Sequence, residues 1–394
     1  MILIDQPYVS DFLIKTIKEN QFPIVATNVA KFMISDESLN WISEKDAINQ
    51  YNSNQNTRVY SNSENAINWI EQHLKNTELP KKIQLFKNKI AFRELLKDHF
   101  PGYFFKGIPI NNLKDFPVAE LQFPLIIKPA VGFFSLAVHK IDTVKEWTEI
   151  INGIETEVET FKDMYPKEVV DISDFIVEEY IDGEEYAVDC YFDNNGKAVV
   201  LNILHHVFSS SKDVSDRVYS TSQKIVETHL QKFETFLQTV GNKAQLKNFP
   251  MHVEIRINNQ GKVIPIEINP LRFGGWCTTG DISWYAFGIN SYNYFLNGKV
   301  PNWSEIFKNS SNKLYSLIVL DNNSGINANE IKSFNYDLLL KDFENPLEIR
   351  KVNYKKYGVF GFLFTKISLG NQQELNSILV SKLTNYIEKY TQLT

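Results

Sequence analysis

The sequence predicts a chain of several domains that mixes α/β and α+β units, and three observations lead to this fold class. The chain has 394 residues, enough for two or three domains of ordinary size. Short apolar runs alternate with helical periodicity over the first 80 residues, as in a small α/β unit. Further along, neighbouring runs that alternate apolar and polar residues predict β-hairpins.

Composition limits the class of protein before any motif is considered. The net charge is −6, hydrophobic residues make up 43% and charged residues 22%, as in an ordinary globular protein. A strongly basic nucleic-acid binder, a disordered chain and a disulfide framework are therefore not expected. No apolar run reaches the length of a membrane span, and Asp5 stands where a signal peptide would be basic. We therefore expect a cytoplasmic protein without membrane or nucleic-acid partners, in which Cys190 and Cys277 are reduced.

The predicted elements follow one another without an internal repeat. Residues 82–100 have the apolar spacing of one helix, and residues 228–241 have that of an amphipathic helix with Gly241 as its C-cap. The last 80 residues contain strands followed by a predicted helix over 374–390. The other predicted strands and hairpins cover residues 123–141, 175–208 and 251–270, and the other helices cover 143–158 and 284–298.

The hairpin over residues 251–270 carries most of the chemistry. Side chains alternate between the faces of a strand, so His252, Glu254 and Arg256 share one face of the first strand. Glu267 and Asn269 share a face of the second strand, and the turn brings the two glutamates to opposed or diagonal positions. Two carboxylates and a carboxamide are hard oxygen donors that suit Mg²⁺. The alternative is a solvated sheet face with acids placed by chance.

This hairpin resembles the metal-binding hairpin of the ATP-grasp superfamily, of the carboxylate–amine ligase type. Those ligases carry an acid and then a Glu-x-Asn element about thirteen residues later, and Glu254 and Glu267 are thirteen residues apart. The usual Asn-Pro-Arg sequence reads Asn-Pro-Leu-Arg here, one residue longer, and ends at Arg272. The resemblance implies that Glu254, Glu267 and Asn269 bind Mg²⁺, or Mn²⁺ in its place.

Three upstream segments agree with the same resemblance, although each also has a plain structural interpretation as a surface helix, strand end or turn. The helix that begins with a phosphate-binding lysine in this family is similar to the segment KNKIAFRELL. The family's strand and loop over the phosphates are similar to FPLIIKPAVGFFSLAV, and its hinge between the two lobes is similar to FIVEEYIDGEEYAVD. The loop over residues 130–137 has one glycine, Gly132, where such loops are usually rich in small residues. The ATP ligands that the resemblance implies are Lys89, Lys128 and Ser135 for the phosphates, Glu185 for the ribose, and Glu178, Glu179, Ile181, Ile126 and Ile266 around the adenine.

The resemblance also implies catalytic roles for three residues. Arg272 would bind the substrate carboxylate or the oxyanion of an intermediate. Arg217 would be a second ligand of the substrate carboxylate. It lies in the polar segment 209–222, which lines the substrate pocket in similar ligases and is otherwise read as a solvated loop. His252, two residues before Glu254, would contact phosphate or assist in proton transfer.

The resemblance covers about residues 83–290 and implies an ATP-grasp fold, in which two α+β lobes clamp ATP. By analogy, a small α/β pre-domain precedes the lobes and an α+β subdomain follows them. The expected bounds are 1–82 for the pre-domain, 83–300 for the two lobes together and 301–394 for the subdomain. Within the lobes, we expect the small lobe over 115–180 and the large lobe over 181–300.

The expected function is an ATP-dependent ligase that joins a carboxylate to an amine through an acyl phosphate. Its substrates would be small molecules such as an amino acid or a short peptide, and a homodimer is frequent among such ligases. The alternatives are an ATP-grasp kinase, a carboxylating enzyme similar to biotin carboxylase, and a nucleotide-binding module without catalysis.

Overall fold

The structure is a computed structural model that describes residues 1–132, 137–159, 171–210, 213, 215–308 and 313–390. The predicted phosphate ligand Ser135 lies outside the described residues. Within the described part of the chain, no helix is long and apolar enough to cross a membrane.

The N-terminal unit is the small α/β layer that the sequence predicts. Its short strands are parallel, in the order β3-β2-β1-β4. The sequence folds this way because each strand is a short apolar run followed by a helix with a side-chain cap, such as Ser10 before α1. The elements are β1 (Ile2–Leu3), α1 (Asp11–Asn20), β2 (Ile24–Val25), α2 (Asn28–Met33), β3 (Trp41–Ile42), α3 (Glu44–Ser53), β4 (Tyr60–Ser61) and α4 (Ile67–His73).

The single helix predicted over residues 82–100 is wrong, because the structure has two helices there. They are α5 (Leu79–Lys87) and α6 (Lys89–Leu96), and Asn88 between them has an extended backbone. The Asn88 side chain accepts hydrogen bonds from the backbone N–H groups of Ile90 and Ala91, at 3.0 and 3.1 Å. This cap starts a new helix and places Lys89 at its first position.

The small lobe is an antiparallel sheet in the order β5-β8-β6-β7, with a helix packed against it. Trp147 and Ile151 of that helix share a core with Ile127 and Phe175 of the sheet. The elements are β5 (Phe105–Pro109), β6 (Leu125–Val131), β7 (His139–Ile141), α7 (Val144–Glu159) and β8 (Asp171–Glu179).

The large lobe and the C-terminal part share one antiparallel sheet. Among the described strands its order is β13-β12-β9-β10-β11-β14-β17-β16. The strands are β9 (Glu184–Phe192), β10 (Ala198–Val207), β11 (Val218–Thr221), β12 (Phe249–Ile257), β13 (Val263–Pro270), β14 (Lys313–Asp321), β15 (Ile331–Phe334), β16 (Pro346–Lys351), β17 (Val359–Ser368) and β18 (Ile387–Lys389), of which β15 and β18 form a separate pair. The helices are α8 (Gln223–Ala244), α9 (Thr278–Phe287), α10 (Ser291–Asn297), α11 (Trp303–Lys308), α12 (Tyr336–Leu340), α13 (Tyr354–Tyr357) and α14 (Gln373–Val380).

The two faces of this sheet differ in chemistry at the β12–β13 hairpin. Met251, Val253 and Ile255 of β12 are buried in one core with Phe233 and Leu237 of α8. The alternate residues of β12 therefore face the other side, where the charged residues of the candidate site lie.

Two predicted helix ends in this part of the chain are wrong. Helix α8 continues past Gly241 to Ala244 and is capped by Gln245 in the left-handed conformation. Gly241 lies inside the helix, at a point where α8 packs so closely on Phe192 that a Cβ would lie 2.1 Å from its ring. The helix predicted over 374–390 ends at Val380, and the chain passes through the left-handed Leu383 into strand β18.

Candidate functional site

The β12–β13 hairpin sets Glu254 directly opposite Glu267 and His252 opposite Asn269. The register shifts after the Glu254–Glu267 pair, where Ile266 is the extra residue of a β-bulge. Ile255 therefore lies opposite Pro265. Directly opposed acids on one sheet face repel each other unless a cation lies between them. The hairpin therefore brings the predicted metal ligands together in an arrangement that needs a cation.

One lysine of the chain supplies part of that positive charge. The Lys89 ammonium lies 3.0 Å from Glu267 Oε2 and donates to the Gly132 carbonyl, also at 3.0 Å. Burial would raise the pKa of Glu267, but the charges of Lys89 and Lys128 lower it. Burial raises the pKa of Glu254 well above its ordinary value, and the nearby Glu267 and Glu185 raise it further. Among the described residues Arg272 lowers the pKa of Glu254, but this effect does not offset those of burial and the neighbouring acids.

The donor set fits a divalent cation that arrives together with other ligands. Within the described residues, no group of three or more His, Cys, Asp or Glu side chains could hold a metal ion. Glu254 and Glu267 form an acidic pair with Asn269 beside them on the same strand as Glu267. Mg²⁺ is usually bound by one or two carboxylates and completes its octahedron with water and phosphate oxygens. The residues present fit Mg²⁺ bound in this way.

A second buried charged cluster joins Lys128 of β6 and Glu178 of β8 to Arg93 of α6. Glu178 is 2% exposed, and its carboxylate lies 2.7 Å from the Lys128 ammonium and 2.6 Å from Arg93 Nε. Burial would raise the pKa of Glu178, but Arg93 and Lys128 hold it at about 2. Burial lowers the pKa of Lys128 and exceeds the opposing effect of Glu178. The structure thus gives the Glu178 side chain the role of counter-ion to both cations.

Arg272 is held by an acid of the N-terminal unit. Glu64 Oε1 accepts from Arg272 Nε at 2.9 Å and from Nη2 at 2.5 Å, and Glu64 Oε2 accepts from Lys87. Burial would raise the pKa of Glu64, but the two cations hold it at about 2. The extra residue Leu271 has a φ of +61°, so the chain absorbs the insertion by a left-handed turn just before Arg272. Sequence reasoning missed Glu64, which lies 208 residues from Arg272.

His252 is paired with an acid that the sequence also did not single out. His252 Nδ1 lies 2.7 Å from Asp189 Oδ1, and the two residues are opposite each other on β12 and β9. Asp189 is fully buried and also accepts from the Gly274 N–H at 3.2 Å. Asp189 therefore fixes the imidazole ring beside the acidic pair.

The predicted hinge residues lie where the chain passes from β8 to β9. The Glu179 N–H donates to the Phe104 carbonyl and its carbonyl accepts from the Tyr103 hydroxyl, both at 3.1 Å. The Ile181 carbonyl accepts from Arg256 Nη1 at 2.5 Å. The hinge backbone is thus hydrogen-bonded to the segment before β5 and to Arg256 of the β12–β13 hairpin.

The predicted ribose ligand Glu185 is already bound by two groups of the chain. Glu185 Oε1 lies 2.7 Å from His206 Nδ1, and Glu185 Oε2 accepts from Arg256 Nε at 2.9 Å. The aliphatic residues predicted around adenine, Ile126 and Ile266, are both half-buried.

Arg217 lies with the C-terminal part of the chain. It is 1% exposed, its Nε lies 2.6 Å from Asp321 Oδ1, and its Nη1 donates to the Ser381 carbonyl at 3.3 Å. The structure therefore brings together Lys89, Glu254, Glu267 and Asn269, but Arg217 makes its contacts elsewhere. The sequence pattern identified the loop and could not show which way its arginine turns.

Comparison with known proteins identifies the fold and a domain in the middle of the chain. Residues 121–280 match the family model described as the ATP-grasp domain, a range that includes β6 to β13. This part of the chain therefore matches an ATP-grasp domain, and the chain has the ATP-grasp fold. No curated protein matches the sequence.

Solved structures resemble the chain over nearly its whole length. An L-amino acid ligase from Bacillus licheniformis is 18% identical, with a TM-score of 0.70, covering 99% of this chain and 98% of that one. An N5-carboxyaminoimidazole ribonucleotide synthetase from Thermotoga maritima is 13% identical, with a TM-score of 0.63, covering 98% of each chain. A biotin carboxylase from Campylobacter jejuni is 14% identical, with a TM-score of 0.62, covering 93% of this chain and 87% of that one. These likenesses extend the shared fold to the N-terminal unit and the C-terminal part.

Proposed function

We propose that the protein is an ATP-dependent ligase that joins a carboxylate to an amine and releases ADP and phosphate. The carboxylate and amine would be those of an amino acid or a short peptide. The observation that carries the proposal is the directly opposed pair Glu254 and Glu267 with Lys89 at 3.0 Å from Glu267. The likeness to an L-amino acid ligase over 99% of the chain supports this substrate class.

In this proposal Glu254, Glu267 and Asn269 hold Mg²⁺. The ion, when bound, neutralises phosphate charge during phosphoryl transfer. Lys89 and Lys128 bind the phosphates of ATP. Both lysines are buried and ion-paired with acids of the chain, so the phosphates compete with Glu267 and Glu178 for them. The site can thus bind a polyanion without leaving unpaired buried cations when it is empty.

The reaction has two steps. An oxygen of the substrate carboxylate attacks the γ-phosphorus of ATP, the bond to the bridging oxygen breaks, and ADP leaves with that electron pair. The amine nitrogen then attacks the carbonyl carbon of the acyl phosphate, loses a proton, and phosphate leaves. Arg272 binds the carboxylate and later the oxyanion, and the buried Glu64 keeps its guanidinium oriented.

His252 has a narrower role in this proposal. Its Nδ1 is occupied by Asp189, so the ring presents Nε2 for phosphate contact or proton transfer.

We place the enzyme in the cytoplasm because Cys190 and Cys277 are both free and buried.

The test is release of ADP and phosphate with Mg²⁺ across a panel of amino acids and amines, offered singly and in pairs. Phosphate release that requires both a carboxylate and an amine supports the ligase. A stable phosphorylated product identifies a kinase, and release that depends on bicarbonate identifies a carboxylating enzyme. Bound ATP with no release from any pair identifies a module without catalysis.

Variants assign the activity to the hairpin. Glu267→Gln should abolish turnover and leave the fold intact. The control is Glu184→Gln, the same change at an exposed glutamate whose partner is His205. Normal turnover in Glu267→Gln would show that the metal assignment is wrong.

A further inference from the structure

The polar segment before β11 turns its arginine and the aspartate next to it in different directions. Arg217 is 1% exposed and makes its contacts with Asp321 and Ser381 of the C-terminal part. Asp216 is exposed, and its Oδ1 accepts a hydrogen bond from the Tyr219 hydroxyl at 2.6 Å. The residue of this segment that Tyr219 holds is therefore an anion, where the sequence had predicted a cation.

The side chain of Tyr219 lies on the same face of the large sheet as the acidic pair. Tyr219 is opposite His206, and His206 is opposite Glu185. Glu185 is in turn opposite Arg256, which follows Glu254 by two residues on β12. Residues directly opposite each other share a face, as do residues two apart on one strand. The carboxylate held by the Tyr219 hydroxyl is thus on the side where the metal ligands are predicted.

Asp216 differs from Glu267 in having no cation beside it. Glu267 is paired with Lys89, whereas among the described residues no lysine, arginine or histidine lies within ion-pair distance of Asp216. Although the side chain is exposed, the protein around it removes part of its hydration and so raises the pKa of Asp216, which the charge of His206 offsets only in part. Glu185 and Glu267 raise it further. A cation that arrives with a ligand would therefore be stabilised at this carboxylate.

A cation and an anion of the chain both act on the acidic pair. After burial and the two neighbouring glutamates, Asp216 raises the pKa of Glu254 and Arg272 lowers it, so both charges are within electrostatic reach of that acid. An α-amino acid has a carboxylate and an ammonium group on one carbon atom. It would complement Arg272 and Asp216 together, whereas a carboxylic acid without the amino group would complement only the arginine.

We propose that Asp216 binds the α-ammonium group of the carboxylate substrate, so that the enzyme activates amino acids whose α-amino group is free and discriminates against acids that lack it. Tyr219 is a positioning residue, because its hydroxyl holds one oxygen of the carboxylate and leaves acceptor positions for the ammonium group. The inference rests on the proposed function, in which Arg272 binds the carboxylate of the same substrate. It adds the chemical group by which that substrate is selected.

The test compares acids in matched pairs with ATP, Mg²⁺ and hydroxylamine. Each amino acid that releases phosphate in the panel is paired with the acid that lacks its α-amino group, as L-alanine with propionate or L-phenylalanine with 3-phenylpropionate. Hydroxylamine replaces the amine substrate, attacks the carbonyl carbon of the acyl phosphate, and gives a hydroxamate and phosphate. Hydroxamate formation thus reports on the carboxylate substrate alone.

Wild-type protein should have a KM at least about tenfold lower for the amino acid than for its analogue, as expected for a hydrogen bond between charged groups. Asp216→Asn should raise the KM for the amino acid about tenfold and leave those for the analogue and for ATP unchanged. The ratio of the two KM values should then fall to within about twofold. A merely structural role of Asp216 would change both acids alike.

Two further variants and a control support this comparison. Asp216→Glu keeps the charge one methylene further out and should give an intermediate ratio. Tyr219→Phe keeps the ring that stacks on His206 with centroids 4.1 Å apart and removes the hydroxyl, so it should lower the ratio even if Asp216→Asn does not fold. The control is Asp342→Asn, the same change at an exposed aspartate that also accepts from a tyrosine hydroxyl, that of Tyr386 at 2.5 Å, and it should keep the wild-type ratio.

Several outcomes would overturn the inference. One is an equal increase in KM for both acids of a pair in Asp216→Asn, and another is an unchanged ratio in both Asp216→Asn and Tyr219→Phe. With a true amine in place of hydroxylamine, an increase confined to the KM for the amine would place Asp216 at the amine and overturn the inference too. Equal KM values for the two acids in wild type would overturn it and leave the ligase proposal standing.

Failure of the proposed function gives a different result. If wild-type protein forms no hydroxamate from any acid, the ligase proposal fails, and the L-alanine and L-phenylalanine pairs are compared by calorimetric binding with ADP and Mg²⁺. A preference of about tenfold for the amino acid that is lost in Asp216→Asn would still support the inference. Equal binding of the two acids, or no binding of either, would overturn it.

Discussion

Removing the charge of Glu178 should destabilise the folded protein strongly. Glu178→Gln keeps the shape of the side chain but leaves Arg93 and Lys128, both buried, without their shared counter-ion. Breaking a buried ion pair by removing one partner costs about 3–5 kcal/mol. We therefore expect the free energy of unfolding at pH 7 to fall by about that amount in Glu178→Gln.

The same cluster predicts how stability changes in acid. The pKa of Glu178 is about 2 in the folded protein, against an ordinary value of 4.5. An acid whose pKa is lowered by folding contributes stability above its unfolded pKa and loses it as the pH falls toward its folded pKa. The contribution of Glu178, about 3 kcal/mol, should therefore disappear between about pH 4.5 and pH 2.

The assay is urea unfolding followed by tryptophan fluorescence at several pH values between 7 and 3. The difference in unfolding free energy between wild type and Glu178→Gln should be largest at pH 7 and shrink as the pH falls. Glu64, whose pKa is also about 2, remains in the variant, so the variant should still lose some stability in acid. Glu184→Gln is the control and should follow wild type. A difference between wild type and Glu178→Gln that stays constant with pH, or that is absent at pH 7, would refute the reasoning.

Three further changes test particular parts of the structure. Asn88→Ala removes the cap of α6 and should cost about 1 kcal/mol in unfolding free energy, and an unchanged melting temperature would contradict this. Gly241→Ala places a Cβ 2.1 Å from the Phe192 ring, so it should cost about 1–3 kcal/mol by the same measurement, and a neutral result would show that the helix can shift. Arg272→Lys loses the fork held by Glu64 and should raise the KM for the carboxylate substrate about tenfold while the KM for ATP stays the same, and equal changes in both would place Arg272 elsewhere.

The hairpin could be predicted because the residues that define its faces and its register are close together in the sequence. Strand alternation assigns Glu254 and Glu267 to one face, and a turn a few residues away limits the register to near-opposed positions. The structure has the two glutamates directly opposed. The bulge at Ile266 was not predictable from this pattern, since alternation alone does not show where an extra residue is accommodated.

The partners of the site residues were less predictable because they come from distant segments. Glu64 meets Arg272 across 208 residues, and Arg93 meets Glu178 across 85. Nothing local to Glu64 distinguishes it from an ordinary glutamate at a helix start. The pairing becomes visible only when the N-terminal unit packs against the end of β13.

The wrong helix ends have a common physical origin in tertiary contacts and side-chain caps. Gly241 has the residue type of a C-cap, but the helix continues because the absence of a side chain lets α8 approach Phe192. Asn88 lies inside a continuous apolar pattern, yet its side chain caps a new helix. Apolar periodicity identifies a helical region well, but it does not show at which residue a helix ends or a new one begins.

The central claim is that Glu254 and Glu267 hold the divalent cation that carries the nucleotide. Calorimetric binding of ADP with and without Mg²⁺ tests it most directly, in wild type, Glu254→Gln, Glu267→Gln and the control Glu184→Gln. Mg²⁺ should tighten ADP binding in wild type and control and have no effect in the two hairpin variants. Glu267→Gln should bind metal-free ADP at least as well as wild type, because Lys89 is then released from its ion pair. Tightening by Mg²⁺ that persists in both hairpin variants would contradict the account.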